Sequence, residues 1–227
     1  LFPIGQLQKS EVRRIATEQD LITADKKDSQ GLCFIGKVKL PVFLQQQLKP
    51  KEGIIIELPS NSEQYRLYSN SIKSNDYKAL SKAFNYIVSD GEKVGKHQGA
   101  HYFTIGQRKG LAVGGTPLPL FVVGTDVEEN VIYTGQGDQH PGLNKLALFV
   151  APEEIHWLRT DLKLEIGKSI DYMVRIRYRQ ELVKATLHME PEGLYIHFSK
   201  FMTGISPGQF AAWYRDDELI GSGTIGH

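Results

Sequence analysis

The feature that most constrains the fold lies after residues 140–144, HPGLN, where strand-like segments follow one another to the end of the sequence. Each is rich in β-branched and aromatic residues, and turns separate them: LALFVAP, SIDYMVRIRYRQ, LVKATLHM, LYIHFSKF, FAAWYRD and ELIGSGTIG. Almost no helical spacing interrupts this series. Short strands at such regular intervals are typical of small antiparallel barrels. We therefore predict a six-stranded antiparallel β-barrel over residues 144–227.

The preceding part is less regular. The run GIIIEL predicts a buried strand, and residues 91–137 contain the further strand-like segments YFTIG, LFVVGTD and NVIYTGQG. Residues 59–88 are richer in Ser, Asn and Tyr, and one helical face is indicated by the spacing of Ala79, Leu80, Ala83, Phe84 and Ile87. We predict a central α+β/β domain over 37–143, with an inserted hairpin-plus-helix excursion at about 59–88 that we interpret as surface elaboration. The fold class is mainly β with minor α.

The first 48 residues predict two short helices. Val12, Ile15 and Ala16 have helical spacing, with Ser10 as the expected N-cap, and VFLQQQL follows Pro41 as a second helical segment. The opening LFPIG resembles the end of an apolar strand and has no initiator methionine. We therefore expect the chain to be a fragment of a longer protein.

Charge and composition exclude several classes of protein. The 27 basic residues balance 26 acidic ones, so a polyanion would have to be bound by a local patch. No apolar run reaches the roughly 20 residues of a membrane helix, and no secretory signal is visible. A single cysteine cannot form an internal disulfide, so it is free or pairs with something outside this sequence. The cytoplasm is the expected location.

That cysteine, Cys33, lies in KKDSQGLCFIG and allows two interpretations. Its apolar neighbours fit an inert, buried side chain. Lys26, Lys27 and the turn-permitting Gly31 fit a reactive one instead, because nearby cations favour the thiolate. The local sequence leaves both open.

Two basic segments are candidates for anion binding. If MVRIRYRQ is one strand, alternation places Arg175, Arg177 and Arg179 on a single face, where they suit either a phosphate backbone or acids such as Glu181 and Glu165. In TIGQRKGL, residues 104–111, glycines bracket a basic turn that is either a cradle for an anion or a plain hairpin turn.

Metal binding is not expected. His97 and His101 stand four apart, but Gly99 between them argues against a helix that would align the rings, and no HExxH is present. A cysteine hydrolase is a further possibility that would require a histidine close to Cys33.

Taken together, the motifs KSEVRRIA, ADKKDSQGLCFIG, GKHQGAHYFTIGQRKGL, VRIRYRQ and SPGQFAAWY resemble the tRNA-specific 2-thiouridylases, also called tRNA uridine 2-sulfurtransferases or the MnmA family. The resemblance extends over nearly the whole chain except about residues 59–88. It implies an enzyme that uses ATP to replace the C2 oxygen of the anticodon wobble uridine by sulfur. It also implies a C-terminal barrel similar to a domain of elongation factor Tu.

The resemblance assigns roles to four residues. Cys33 matches the cysteine that carries the persulfide sulfur, whereas Arg177, Tyr178 and Gln209 match contacts to tRNA. Strict alternation would point Arg177 and Tyr178 to opposite faces, which a bulge or a barrel-edge position would reconcile. An upstream sulfur donor, either a cysteine desulfurase or a relay protein, is the other implied partner.

The chain also departs from the family pattern. It has no SGGxDS motif for ATP and no second cysteine, so we interpret residues 1–36 as the tail of the PP-loop catalytic domain and expect the chain alone to be inactive. The excursion at 59–88 is expected to have no counterpart in the family. The alternative function is a non-catalytic RNA-binding module in which Cys33 is structural.

Overall fold

The computed structural model describes residues 4–26, 49–178 and 180–226. It divides into two compact units, Leu1–Lys49 and Pro50–His227. The described part of the first unit contains helix α1, Lys9–Glu18, in the predicted place. The N-cap is Gln8, in an extended conformation, and not Ser10, which lies inside the first turn. The predicted second helix and Cys33 lie outside the described residues.

The second unit begins with a four-stranded mixed sheet. Its order is β2-β1-β4-β3, with β1 parallel to β4 and the other neighbours antiparallel, and its strands are β1 Gly53–Glu57, β2 Glu92–His97, β3 Leu120–Asp126 and β4 Val131–Gln136. Apolar clusters cover both faces, which explains the unbroken apolar run in β1. Three of the predicted strands are therefore confirmed. The segment YFTIG is not a strand, because its residues form a 3₁₀ turn and a loop instead.

The C-terminal part is a seven-stranded antiparallel sheet of order β5-β9-β8-β7-β10-β11-β6. Its strands are β5 Asn144–Val150, β6 Ile155–Trp157, β7 Ser169–Arg175, β8 Val183–Glu190, β9 Gly193–Thr203, β10 Phe210–Arg215 and β11 Glu218–Thr224. All six predicted segments form strands. The seventh, β6, has three residues and pairs only with β11, which makes it too short to give an alternating pattern.

This sheet curls around one apolar core. Trp213, Val174 and Leu187 are among its fully buried side chains. The amide of Gly226, just after β11, donates to the carbonyl of Phe149 in β5 at 2.9 Å, so the first strand of the sheet order is joined to the chain that follows the penultimate strand. The observed architecture therefore agrees with a mainly β fold that has a barrel-like C-terminal part.

The excursion at 59–88 contains helices and no hairpin. Helix α2, Glu63–Lys73, and helix α3, Tyr77–Ser81, are separated by Asn75, whose positive φ of 55° ends the first one. Because α3 ends at Ser81, the predicted helical face through Phe84 and Ile87 is wrong. Phe84 instead folds back against Tyr68 of α2.

The excursion also packs against both sheets. Tyr68 and Leu80 are buried with Ala147 of β5, and the Tyr68 hydroxyl accepts the amide of Leu146 at 2.7 Å. Towards the four-stranded sheet, Tyr86 packs against Tyr133 of β4. The expectation of a mere surface elaboration is therefore wrong, because these residues fill space between the sheets.

No helix among residues 4–26, 49–178 and 180–226 has the length and apolar character needed to cross a membrane.

Candidate nucleic-acid interface

The candidate site lies at one end of the seven-stranded sheet. Strand β7 ends there at Arg175, and β10 begins there at Phe210. Strands β9 and β10 are not neighbours, since β8 and β7 lie between them, so the connection 204–209 crosses this end of the sheet. Ile205 and Ser206 of that connection are buried. The connection therefore covers the end of the apolar core.

Arg177 joins three segments that are distant in sequence. Its Nη2 atom donates to the carbonyl of Gly204, at 3.0 Å, and to that of Ile105, at 3.3 Å. The second acceptor belongs to the TIGQRKGL loop, beside the four-stranded sheet. The guanidinium thus holds the segment after β7, the β9–β10 connection and this loop together. Because hydrogen bonds from a charged donor are stronger than those between neutral groups, these two bonds hold the three segments in a defined arrangement.

Strict strand alternation would point Arg177 and Tyr178 to opposite faces, but this conflict does not arise because neither residue lies in a strand. The predicted strand continues only to Arg175, so the prediction that Arg177 shares a strand face with Arg175 is wrong. Arg179 lies outside the described residues. After β7 the chain turns, with the Gln180 amide donating to the Arg177 carbonyl at 3.1 Å. Tyr178 is 87% exposed. Alternation therefore does not constrain where these two side chains point.

Gln209 lies at the end of the β9–β10 connection, half-buried, directly before β10. Its carbonyl accepts the amide of Ile225 at 2.8 Å, and the amide of Gly208 donates to Ile225 at 2.9 Å. These bonds fix the PGQ segment to the chain after β11. Arg177 and Gln209, predicted from separate motifs, are thus located at the same end of the sheet.

The loop 104–110 is a hydrogen-bonded turn. The amide of Gly106 donates to Val122 of β3 at 2.8 Å, and the amide of Gln107 donates to Thr104 at 2.9 Å. Two of the N–H groups that a backbone cradle would need are therefore already engaged. What the loop offers to an anion is the pair of exposed side chains, Arg108 and Lys109.

The sequence analysis named Arg175 but did not predict the contacts that its side chain makes. Its guanidinium lies over the ring of Tyr214, 5.0 Å from the centroid, and its Nη1 donates to the Tyr178 carbonyl at 3.3 Å. Its Nε atom is buried and has no hydrogen-bond partner among the described residues. Tyr214 occupies an outward-facing position in the alternating pattern of β10, but no sequence signal indicates that its ring lies against Arg175.

The two histidines of the motifs HQG and HPG are structural. In His97, Nδ1 accepts the amide of Gly99 at 2.9 Å and Nε2 lies 3.2 Å from the carbonyl of Asn130. His140 repeats the arrangement with the amide of Gly142 and the carbonyl of Leu58, both at 3.2 Å. Burial lowers the pKa of both imidazoles. Neutral rings protonated at Nε2 satisfy these bonds.

Within the described part of the chain, no group of three or more His, Cys, Asp or Glu residues is arranged to hold a metal ion.

A cleft of about 510 Å³ opens between the two sheets and the excursion. Phe84, Phe103 and Phe149 contribute to its walls, together with Lys145 of β5. The Lys145 ammonium donates to the carbonyls of Ser81 and Lys82, at 3.0 and 2.7 Å, and burial lowers its pKa to about 8. This lysine therefore caps the end of α3.

Comparison with known protein families divides the chain into three matches. Residues 1–37 match a tRNA methyl transferase HUP domain, residues 81–136 match a tRNA methyl transferase PRC-barrel domain, and residues 149–225 match an aminomethyltransferase beta-barrel domain. The third match includes the candidate interface. The first includes Cys33.

Similar curated proteins share one name, tRNA-specific 2-thiouridylase MnmA. The protein of Christiangramia forsetii is 60% identical over 227 residues, that of Flavobacterium johnsoniae is 57% identical over 227, and that of Bacillus subtilis is 37% identical over 226. Each alignment covers 99% of this chain, so it includes residues 59–88, and the expectation that the excursion has no counterpart is wrong. The chain spans 58% of the length of the first two and 52% of the third. With these relatives, the resemblance of the chain to the tRNA-specific 2-thiouridylase family, seen in the motifs, is confirmed over its whole length.

Proposed function

We propose that this chain is the tRNA-binding and sulfur-carrying part of an enzyme that converts a tRNA uridine to 2-thiouridine. The observation that carries the proposal is the convergence at one end of the seven-stranded sheet: Arg177 holds together the basic 104–110 loop and the connection that leads to Gln209. Arg108 and Lys109 are exposed beside it. A cationic surface on a rigid scaffold suits the phosphates of RNA.

The proposed contacts are Arg177, Tyr178 and Gln209, at the anticodon wobble uridine and its surroundings. Because one guanidinium nitrogen of Arg177 is already bonded to two carbonyls, its part is to shape the surface and to offer its remaining N–H groups. Arg108 and Lys109 are additional candidates for phosphate contacts. The division into 1–36, 37–143 and 144–227 stays part of the proposal, supported by the three family matches.

Cys33 is proposed to carry sulfur as a persulfide. In the transfer the terminal sulfur passes to C2 of the uridine, and the sulfur of Cys33 enters a disulfide with a second cysteine, which this sequence does not contain. A sulfur-donor protein would reload Cys33, and the cytoplasm is the proposed location. ATP would make the C2 oxygen a leaving group, but this sequence has no SGGxDS motif, so no residue of the chain is assigned to ATP.

The RNA-binding part is tested by measuring tRNA affinity of this chain against KCl concentration. Each lost phosphate contact lowers the steepness of log Kd against log salt by roughly one. We expect salt-sensitive binding by the wild type and a shallower slope for the double variant Arg108→Ala/Lys109→Ala. Lys163→Ala/Lys168→Ala, at the opposite end of β7, is the matched control and should leave the slope unchanged. Binding that is absent at low salt contradicts the proposal.

The sulfur-carrying part is tested by Cys33→Ser in the enzyme that also contains the ATP-binding region. Loss of thiolation with unchanged tRNA affinity is the expected result. Unchanged thiolation would favour the alternative of an RNA-binding module with a structural cysteine.

A further inference from the structure

Three aromatic side chains lie exposed at the candidate interface. Tyr178 is 87% exposed, Phe210 is 65% exposed and Phe201 is 52% exposed. Large aromatic side chains usually contribute to cores or interfaces, because burying one removes a large apolar area from water. A single exposed ring is ordinary, but three at one end of a sheet indicate a binding surface.

Strand directions place all three at the same end. Strand β9 runs parallel in direction to β7, because each is antiparallel to β8, so Phe201 lies towards the end where β7 finishes. Strand β10 is antiparallel to β7, so its first residue, Phe210, lies at that end too. Tyr178 follows β7 directly. Neighbouring strands are about 4.8 Å apart, so the four strands from β9 to β10 span about 15 Å.

Basic residues adjoin two of these rings in the sequence, and a third basic residue lies between strands β7 and β10. Lys200 precedes Phe201, Arg177 precedes Tyr178, and Arg175 lies on the ring of Tyr214 between β7 and β10. Glu181 is the acidic residue of the hairpin after β7. A planar guanidinium on an aromatic ring presents its other face for stacking.

We propose that Tyr178, Phe201 and Phe210 form an aromatic platform that stacks on unpaired bases of the bound RNA. This inference rests on the proposed function and adds the mode of recognition: the ligand is a single-stranded loop, and not the stem alone. Exposed rings close to cations are the arrangement by which proteins bind splayed-out bases, and platforms of this size take two or three of them.

The double variant Phe201→Leu/Phe210→Leu tests the platform. Leucine keeps the side chains apolar and removes the rings. The probes are a fluorescein-labelled RNA hairpin with a seven-nucleotide loop and a fully paired duplex of the same stem, each titrated at fixed KCl. We expect affinity for the hairpin to fall roughly 10-fold or more, with the salt slope and the affinity for the duplex unchanged. Lys200→Ala should weaken binding to both RNAs and lower the slope.

Ile166→Leu is the matched control, since Ile166 is 66% exposed and lies before β7, away from the platform. It should leave both affinities unchanged. If the wild type binds neither RNA, the proposed RNA-binding function fails and the platform with it. If the wild type binds RNA and the double leucine variant binds the hairpin equally well, the platform alone is wrong. Sedimentation velocity tests the remaining alternative, in which the rings contact a second copy of this chain. A wild-type dimer that the double variant abolishes would support that alternative and overturn the proposal.

Discussion

The phenol ring of Tyr77 lies flat on the imidazole of His188, with centroids 4.0 Å apart and planes 1° from parallel. The Tyr77 hydroxyl donates to the carboxylate of Glu190 at 2.8 Å, and Lys78 forms ion pairs with Glu190 and Glu192. Helix α3 is thereby fixed to β8 and to the turn that follows it. A segment that looked like a surface insertion is thus attached to the barrel by stacking, hydrogen bonding and charge.

Replacing Tyr77 by Leu should lower the free energy of unfolding by about 1–2 kcal/mol, because the stack and the hydrogen bond to Glu190 are both lost. Tyr77→Phe keeps the stack and should cost less than Tyr77→Leu. Urea denaturation followed by circular dichroism measures both. Leu67→Ala, on the exposed side of α2, is the control. Equal stability of wild type and Tyr77→Leu would show that α3 does not stabilise the barrel.

Gly204→Ala should displace the Arg177 guanidinium. A Cβ at this position would lie 2.5 Å from Arg177 Nη2, and the backbone φ of +72° is unfavourable for alanine. We expect a loss of about 2–3 kcal/mol of stability and weaker RNA binding. Gly208→Ala has a φ of +80° but open space around the Cβ, so it should show the backbone cost alone, about 1 kcal/mol. Equal effects of the two substitutions would contradict a packing role for Gly204.

Arg177→Ala should loosen the segments that the guanidinium joins. Loss of its hydrogen bonds to Ile105 and Gly204 should increase amide hydrogen exchange in residues 104–110 and 204–209 several-fold, even without RNA. Exchange in β8, which these bonds do not reach, serves as the internal control. Unchanged exchange in the joined segments would mean that Arg177 acts on RNA alone.

Stability should decrease in mildly acidic solution. Burial lowers the pKa of His97 and His140 below 6.5, so the folded protein keeps both rings neutral while the unfolded chain takes up protons. The stabilisation is therefore complete above pH 6.5 and is lost as the pH falls below it, with a slope of at most about 1.4 kcal/mol per pH unit for each ring. Urea denaturation at pH 7.5 and 5.5 measures the change. A flat profile would contradict the neutral assignment.

Lys145 should titrate near pH 8, because burial lowers its pKa to about that value. NMR of ¹³Cε-labelled lysines should show one resonance with this midpoint, and Lys145→Gln should remove it. A folded pKa below the unfolded one disfavours the charged form in the fold, so this group adds stability as the pH rises from about 8 towards 10.5. A midpoint near 10.5 would show that the ammonium is hydrated.

The C-terminal strands were predictable because each has a buried face and an exposed face, so alternation in sequence follows alternation in space. Alternation does not show where a strand ends, however. Ile176 continues the pattern beyond Arg175, and it is buried although the chain has already left the sheet. The excursion was harder. Tyr65 and Tyr68 have helical spacing in α2, but the residues that bury them lie far away in the sequence.

The candidate interface could be predicted only in part. The motifs identified Arg177, Tyr178 and Gln209 by resemblance, and the glycines of the 104–110 loop indicated a turn. The hydrogen bonds from Arg177 to two carbonyls, 72 residues upstream and 27 downstream, have no signal in the sequence. They depend on how the two sheets pack, and that packing is decided by many small apolar contacts at once.

The order of synthesis gives the excursion an additional significance. Lys78 leaves the ribosome long before Glu190 and Glu192, which follow it by 112 and 114 residues. During translation Tyr68 and Leu80 therefore stay uncovered until β5 has been made, and α3 waits longer for Glu190 and Glu192. Short helices are marginal on their own, so this stretch acquires its structure late and depends on the strands that come after it. A truncation within β8 or β9 would consequently disturb residues far upstream, near the start of the same unit.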